Sequence, residues 1–336
     1  MPEDSDNRCL STMTGLELST RTEVDTPDGP KLVKPGSGPM KLRAHSTDYE
    51  QMFSGFSAAV RRRFIERMID IAAAVPGRDL EELYLIDSQT DEVVCLEPFD
   101  RWSDAYNRKI RTGESAVFLW EETTSPVCPS CGQPLYWHYQ SGCEYEGDIS
   151  DWSRQETTQP VTLFDYSQTT PPVDAPADGQ EPRKPWRVEF LSRSQDARAQ
   201  AVIDVLDVFE SNAGVSIEFV PSSEWDSAIE PASVDMGSAL FGHPTVSVLD
   251  SDQPEKKALH AFYGLSANAL KFKSDDSSTR LETLLLTKLL CEHYGLSGIE
   301  FPHESYFQDE SGFDLDLVDN VLDLFSSLVA GVELHI

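Results

Sequence analysis

The sequence has little positive charge: 27 lysines and arginines stand against 58 aspartates and glutamates, which gives a formal net charge of −31. Lysine is especially scarce, with only 10 residues. Because nucleic acid is held largely by Lys and Arg contacts to phosphates, the composition at first argues against such a partner. Acids spread through every segment instead indicate adaptation to concentrated salt, in which they keep a protein hydrated and soluble.

The sequence also lacks long apolar runs. No stretch approaches 18 uninterrupted apolar residues, so we expect no membrane-spanning segment. The first residues, MPEDSDNRCL, are acidic and have no apolar core, so we expect no secretory signal and a cytoplasmic location. Only six cysteines are present, and in that compartment they predict reduced thiols or a metal site rather than disulfides.

Length and composition predict two domains with packed cores, because 336 residues exceed a typical single domain and 39% of them are hydrophobic. A segment rich in Pro and Asp gives the clearest boundary. The predicted organisation is a disordered acidic arm (1–48), a first domain (49–170) with a polar cysteine-containing insert (123–160), a linker (171–185) and a second domain (186–336).

Hydrophobic periodicity predicts an α+β fold for both domains. In the first domain we expect a helix at 56–74 and strands at 83–86, 93–96, 116–120 and 161–169. In the second we expect strands at 188–191, 215–220 and 245–249, and helices at 194–211, 254–271, 278–294 and 314–330.

The charge is uneven along the chain. Residues 51–125 hold 9 basic and 14 acidic residues, whereas residues 174–336 hold 11 basic and 29 acidic residues. In the first domain the basic residues cluster beside aromatic residues, which is the combination that a single nucleic-acid strand needs. An ordinary solvated helix face with core aromatics is the alternative. The candidate DNA-binding residues are Arg61, Arg62, Trp102, Tyr106, Arg108, Lys109, Arg111 and Trp120.

The cysteine insert has the spacing of a metal site. In CPSCGQPLYWHYQSGC the pattern is Cys-x2-Cys-x6-His-x4-Cys, formed by Cys128, Cys131, His138 and Cys143. Three thiolates and one imidazole can hold one Zn²⁺ tetrahedrally, and a site saturated by protein ligands is structural rather than catalytic. Free surface thiols or a redox pair are the alternatives.

Three stretches together resemble a known family. They are WSDAYNRKIRTGESAVFLW (102–120), CPSCGQP…CEYEGD…W (128–152) and VTLFDYSQT (161–169). In this order they resemble the single-stranded-DNA-binding domain of the plasmid antirestriction protein ArdC family, in the form carried by halophilic archaea. The resemblance implies a helix-plus-sheet DNA-binding domain with a zinc-knuckle insert, followed by a zincin-like α+β metallopeptidase domain.

The second half departs from that family at the peptidase motif. A zincin helix carries His-Glu-x-x-His, in which two histidines bind zinc and the Glu activates a water. Aligned on the family, Gly264, Leu265 and Asn268 occupy these three positions, and Leu284 occupies that of the third ligand. The resemblance therefore implies a degenerate, non-catalytic domain.

The sequence thus predicts a single-stranded-DNA-binding protein of the antirestriction type with one structural zinc and no enzymatic activity. Two alternatives stay open. One is a zinc metallopeptidase with a displaced site. The other is a protein-binding antirestriction or regulatory factor, because a surface with net charge −31 can imitate DNA.

Overall fold

The computed structural model describes most of the chain from residue 56 onward and two short segments before it. The described residues are 22–26, 29–33, 56–90, 93–134, 138, 143, 147–171, 184–225, 232–235, 244–270, 277–296, 300, 302–307, 313 and 315–336.

The described part of the first half combines three helices with seven strands. The helices are α1 (Ala58–Ala74), α2 (Leu80–Asp87) and α3 (Phe99–Asp104). The strands are β1 (Thr22–Thr26), β2 (Gly29–Val33), β3 (Leu96–Pro98), β4 (Lys109–Ile110), β5 (Val117–Val127), β6 (Ser153–Asp165) and β7 (Thr169–Thr170).

The second half is richer in helix. Its helices are α4 (Trp186–Leu191), α5 (Gln195–Asp204), α6 (Leu206–Ala213), α7 (Pro254–Ala269), α8 (Ser277–His293) and α9 (Leu315–Val329). Its strands are β8 (Ser216–Val220), β9 (Ala232–Asp235) and β10 (Thr245–Leu249). Helices and sheets are therefore mixed in both halves, as the predicted α+β class requires.

Four small sheets connect these strands. β6 lies between β3 and β5 in an antiparallel sheet, and the β5–β6 pairing runs from Val117 opposite Leu163 to Val127 opposite Ser153. β10 pairs parallel to β8 and antiparallel to β9. β4 pairs with β7, and β1 with β2. The long β5–β6 hairpin carries the cysteine-containing segment at its tip.

The β1–β2 hairpin lies within residues 1–48, where the sequence predicted only a disordered arm. Its two strands were therefore missed, and the rest of that arm lies outside the described residues. Most of the predicted linker, 172–183, also lies outside them.

One hydrophobic core extends through both halves of the chain. It includes Ile65 and Met68 of α1 together with Leu286 and Leu289 of α8, all fully buried. α1 packs against α8 and against a short 3₁₀ turn at Glu304–Phe307. A helix expected to belong to the first domain thus shares its core with the second half.

Two strand predictions are wrong because the residues that mark the start of a helix, Asp79 and Pro185, were overlooked. Residues 83–86 lie in helix α2, where the Asp79 side chain caps the first turn by accepting from the Glu82 backbone N–H at 2.8 Å. Residues 188–191 lie in helix α4, which begins directly after Pro185. In both cases a short apolar run fits a helix turn as well as a strand.

The remaining predictions of secondary structure are confirmed with shifted ends. The predicted helix at 194–211 is interrupted at Val205, which separates α5 from α6. The predicted strand at 93–96 begins only at Leu96. The other predicted strands and helices are present, and none of the described helices is long and apolar enough to cross a bilayer.

His293 locks the end of α8 to the end of α1. Its ring is 2% exposed, and Nδ1 donates to the Ala73 carbonyl at 2.6 Å. Burial, with a smaller contribution from the cation of Arg187, lowers the pKa of His293 to about 3. The imidazole is therefore neutral in the folded protein at neutral pH.

This burial predicts a loss of stability in acid. The folded-state pKa lies below the ordinary value of 6.5, so below about pH 6.5 the unfolded chain binds a proton that the folded chain refuses. The stability that depends on a neutral His293 is fully present above pH 6.5 and is lost progressively as the pH falls toward 3. Urea unfolding gives the free energy of unfolding at pH 7 and at pH 5. We expect this free energy to fall more between pH 7 and pH 5 in wild type than in His293→Gln. Equal losses would contradict a neutral buried His293.

Candidate functional site

The tip of the β5–β6 hairpin brings the predicted ligands together. Each of Cys128, Cys131, His138 and Cys143 offers one ligand atom, and these atoms all lie within 4.8 Å of one another. The Cys131 Sγ–His138 Nδ1 distance is 3.5 Å, and the Cys128 Sγ–Cys143 Sγ distance is 4.0 Å. The second distance is far beyond a disulfide bond of about 2 Å.

These distances fit a tetrahedral metal site. Zinc bonds of about 2.3 Å to sulfur and about 2.0 Å to nitrogen place tetrahedral ligands about 3.8 Å (S to S) and about 3.5 Å (S to N) apart. Within the part of the chain that the structure describes, this is the only such group of His, Cys, Asp or Glu side chains. The cluster therefore suits one metal ion held by four protein ligands.

The local backbone explains why the ligands converge. Cys128 follows β5 directly, and its carbonyl accepts from the Gly132 N–H at 2.9 Å. Gly132 has φ 68°, which favours glycine, so the chain turns back tightly enough to return Cys131 toward Cys128. The Ser130 N–H points at the Cys128 sulfur at 3.4 Å. Local contacts within the turn thus bring the first two ligands together.

His138 is fixed from a second side. It is 4% exposed, its ring packs edge-on against Trp152 with centroids 4.8 Å apart, and its backbone N–H donates to the Pro134 carbonyl at 2.8 Å. Trp152 belongs to the chain returning into β6. The chain after β5 thus fixes the His138 backbone, and the chain before β6 packs against its imidazole.

The positions matching the peptidase motif lie among packed helices. In α7, Gly264 and Leu265 are buried and Asn268 is partly buried. Leu284 of α8 is also partly buried. α7 packs directly against α8. Nearby, His260 Nδ1 donates to the Leu249 carbonyl at 2.6 Å. The side chains at the four aligned positions offer neither an imidazole nor a carboxylate.

Three of the predicted DNA-binding residues are buried: Trp102, Arg108 and Arg61. Trp102 is fully buried and donates from Nε1 to the Phe164 carbonyl at 2.9 Å. Arg108 is 7% exposed and donates from Nε to Thr169 Oγ1 at 2.7 Å. A base cannot stack on a ring without an open face, so Trp102 is corrected from a ligand contact to a core residue. The guanidinium of Arg108 holds the β4–β7 region together.

Two arginines of α1, Arg61 and Arg62, are directed at the second half of the chain. Arg61 is 6% exposed and its Nη1 lies 3.5 Å from the Phe307 carbonyl, while Arg62 Nε donates to the Pro302 carbonyl at 2.8 Å. Arg62 also forms an ion pair with Glu66 at 3.7 Å. These contacts assign the pair to tertiary structure, so their predicted part in a strand-binding surface is not supported by their placement.

The other candidates are more open. Lys109 is exposed on β4, and Arg111 is exposed beside Glu114, with Nη2 2.7 Å from its carboxylate. Tyr106 is partly buried; burial, followed by the charge of Glu97, raises its pKa to about 12, and its hydroxyl donates to Glu97 at 3.1 Å. Trp120 is partly buried on β5.

Two further residues, which were not among the candidate DNA-binding residues, join them. Phe99 begins α3 and is 59% exposed, which makes it one of few large hydrophobic side chains left open on the described surface. Arg101 is also 59% exposed, and Glu97 raises its pKa. α3 contacts β4. We call the resulting patch the α3–β4 surface, formed by Phe99, Arg101, Tyr106, Lys109 and Arg111.

The sequence offered a partial signal for this surface. Phe99 lies within the stretch EPFDRW, two residues from a cation and close to the predicted basic loop. The sequence pattern does not predict that Phe99 is exposed and Trp102 buried, because this depends on which face of a short helix packs against β6.

Comparison with known proteins gives a distant likeness of fold. No family model matches the chain, and no curated protein does. Among solved structures, the metal-free antirestriction protein ArdC from plasmid R388 is 10% identical, with a TM-score of 0.38, over 81% of this chain and 97% of that one. Its Mn(II)-bound structure is 12% identical, with a TM-score of 0.35, over 80% and 98%. Values this low identify neither a family nor a site in this chain.

Proposed function

We propose that this chain is a non-catalytic, single-stranded-DNA-binding protein of the ArdC-like antirestriction type. The observation that carries the proposal is the α3–β4 surface. Phe99 and Arg101 are exposed on α3, and Lys109 and Arg111 are exposed on or just after β4, the strand that α3 contacts. Sequence-tolerant strand binders use aromatic rings to hold bases and cations to hold the backbone.

Phe99 is the principal stacking side chain in this proposal. Its ring contacts Phe164 edge-on, with centroids 6.4 Å apart, so one part is supported by the sheet while the exposed part is open to a base. Stacking of one base contributes on the order of 1–3 kcal/mol. Tyr106, which packs on the buried Trp102 at 5.2 Å, widens the same apolar area.

Arg101, Lys109 and Arg111 are the proposed phosphate contacts. Arg101 and Arg111 already have carboxylate neighbours in Glu97 and Glu114, so each must exchange an ion pair for a phosphate; the Arg111 pair is open to solvent, whereas Glu97 is only 16% exposed. An exposed ion pair such as Arg111–Glu114 is worth about 1 kcal/mol or less, so its exchange costs little. Releasing Arg101 costs more, because it leaves the partly buried Glu97 with the Tyr106 hydroxyl alone. In concentrated salt the phosphate contacts weaken, and the ring must supply most of the affinity.

The ion at the hairpin tip is proposed to be one structural Zn²⁺. Three thiolates with one imidazole are the ligands that zinc favours, and harder ions such as Mg²⁺ or Mn²⁺ prefer oxygen. With four protein ligands no coordination position is left for water, so this ion would shape the hairpin and would not hydrolyse a substrate.

The proposed setting is the cytoplasm of an organism that accumulates salt. A net charge of −31 and the scarcity of lysine support it, because such a surface stays hydrated when salt screens its own repulsion. A protein partner from a host defence system is compatible with this surface.

Replacing Phe99 with alanine tests the proposal. We expect the affinity for a labelled oligo-dT strand, measured by fluorescence anisotropy in concentrated KCl, to fall about 5- to 150-fold, since one base loses its stacking partner. Ile149→Ala is the matched control, because Ile149 is an exposed apolar residue (38%) on the 3₁₀ turn before β6. Equal effects of the two substitutions would rule out Phe99 as the stacking residue.

A further inference from the structure

A cavity of about 520 Å³ opens beside the α3–β4 surface. It lies between the end of α1, strand β3, the start of α4 and the chain after α9, and it shares Arg101 and Tyr106 with that surface. Its size falls in the range of small-molecule sites, which is larger than a bare phosphate requires. None of the functions considered so far uses it.

Arg187 is an unusual residue of this cavity. Of the three lining arginines, Arg78 is paired with Glu82 and Glu121, and Arg101 with Glu97. Arg187 has no carboxylate partner among the described residues; Nη1 donates to the His293 carbonyl, and Nε is buried without an acceptor.

Burial of a guanidinium that forms no ion pair is costly, since the charge loses its water and gains only the weaker influence of the Glu292 carboxylate. This desolvation lowers the pKa of Arg187 to about 10, so the group nevertheless stays cationic at neutral pH. A guanidinium in this state attracts an anion, and its planar fork suits phosphate or carboxylate oxygens.

The rest of the lining favours a ligand with a ring beside its charge. Trp186 precedes Arg187 and lines the same cavity, and Leu334, 83% exposed, lies at its edge. The carboxylate of Glu97 is occupied by Arg101 and the Tyr106 hydroxyl, while Glu333 is exposed. A planar base against the indole and a phosphate on the guanidinium would use both features.

We propose that this cavity binds a nucleotide, with its phosphate on Arg187 and its base against Trp186. The nucleotide is either free or the 5′-phosphorylated end of a strand lying on the α3–β4 surface. The second source rests on the proposed function, whereas the first does not.

The test compares ligands that differ only in the phosphate. Binding of thymidine 5′-monophosphate and of thymidine is measured by isothermal titration calorimetry with the full chain. We expect the monophosphate to bind at least about tenfold more tightly, which corresponds to one or more charge-assisted hydrogen bonds. Equal affinities, or binding of neither, would overturn the proposal without any variant having to fold.

Substitution at Arg187 gives the second arm. Arg187→Met should remove the preference for the monophosphate, and Arg187→Lys should retain part of it. Arg193→Met is the matched control. Arg193 follows the same helix, its guanidinium lies 5.3 Å from the centroid of the Phe190 ring, and it does not line the cavity. An unchanged preference in Arg187→Met would also overturn the proposal.

Oligonucleotides then distinguish the two sources. If 5′-phosphorylated oligo-dT binds more tightly than 5′-hydroxyl oligo-dT in wild type but not in Arg187→Met, the cavity takes the end of a strand. If neither oligonucleotide binds while the monophosphate does, the cavity binds a free nucleotide and the proposed strand-binding function fails separately.

Discussion

Cys128→Ser is expected to release the metal ion and to loosen the tip of the β5–β6 hairpin. The Cys128 sulfur lies within 4.8 Å of the other three ligand atoms, and a serine hydroxyl is a far poorer zinc ligand than a thiolate. We expect the zinc content, measured by inductively coupled plasma mass spectrometry, to fall from about one ion per chain to about none. The affinity for zinc should drop by more than about 100-fold, because even substitution of a residue that only hydrogen-bonds to a metal ligand costs about 10- to 100-fold.

The consequence for the fold should be local. Amide hydrogens in the turn after β5, including the Gly132 N–H that bonds to the Cys128 carbonyl, should exchange faster in Cys128→Ser. The core between α1 and α8 contains none of the ligands, so its protection should persist. Cys95→Ser is the control, since Cys95 is a thiol outside the cluster.

The same measurement separates the binding and peptidase hypotheses. One zinc per wild-type chain that Cys128→Ser removes agrees with a single structural site. A second ion that survives the substitution would point to another metal centre and would revive the peptidase alternative. A full zinc content in Cys128→Ser would contradict the assignment of the hairpin tip.

Trp102→Ala is expected to destabilise the protein by about 3–5 kcal/mol, the usual cost of truncating a buried Trp to Ala. Trp102 is fully buried, donates to the Phe164 carbonyl and packs against the rings of Tyr106 and Tyr166. The substitution leaves a cavity and an unsatisfied carbonyl at the same place. Urea unfolding followed by tryptophan-independent far-UV circular dichroism measures the loss.

Phe99→Ala is the counterpart of this substitution, three residues away on the same helix. With 59% of its side chain exposed, Phe99 should contribute less than about 1 kcal/mol to stability. The two variants should thus have different effects: Trp102→Ala should lower the free energy of unfolding, and Phe99→Ala should lower the affinity for the DNA strand. An unchanged free energy of unfolding in Trp102→Ala would show that Trp102 is not the core residue described here.

The metal cluster could be predicted from the sequence because its information is local. Four ligands within 16 residues, with Gly132 at the turn, specify a knuckle almost regardless of the surrounding fold. Helix α1 was equally accessible, because seventeen residues of sustained periodicity leave little ambiguity. The structure places the cysteines and the histidine as their spacing indicated.

The surface residues could not be predicted in the same way. Trp102 and Phe99 are both aromatic residues of one short helix, and only the packing of α3 on β6 decides that the first is closed and the second open. Arg187 was hidden for a similar reason. Its burial depends on the carbonyl of His293, 106 positions away, and on α4 being a helix rather than the predicted strand.

Strand binding across a salt titration tests the central claim most directly. Anisotropy of labelled oligo-dT with the wild-type chain is recorded from about 0.1 M to about 2 M KCl. With three phosphate contacts, the logarithm of the binding constant should fall with a slope of about −2 against the logarithm of salt concentration. We expect saturable binding to persist at the highest KCl concentration, because stacking on Phe99 does not depend on counterion release. No saturable binding at any KCl concentration would contradict the account.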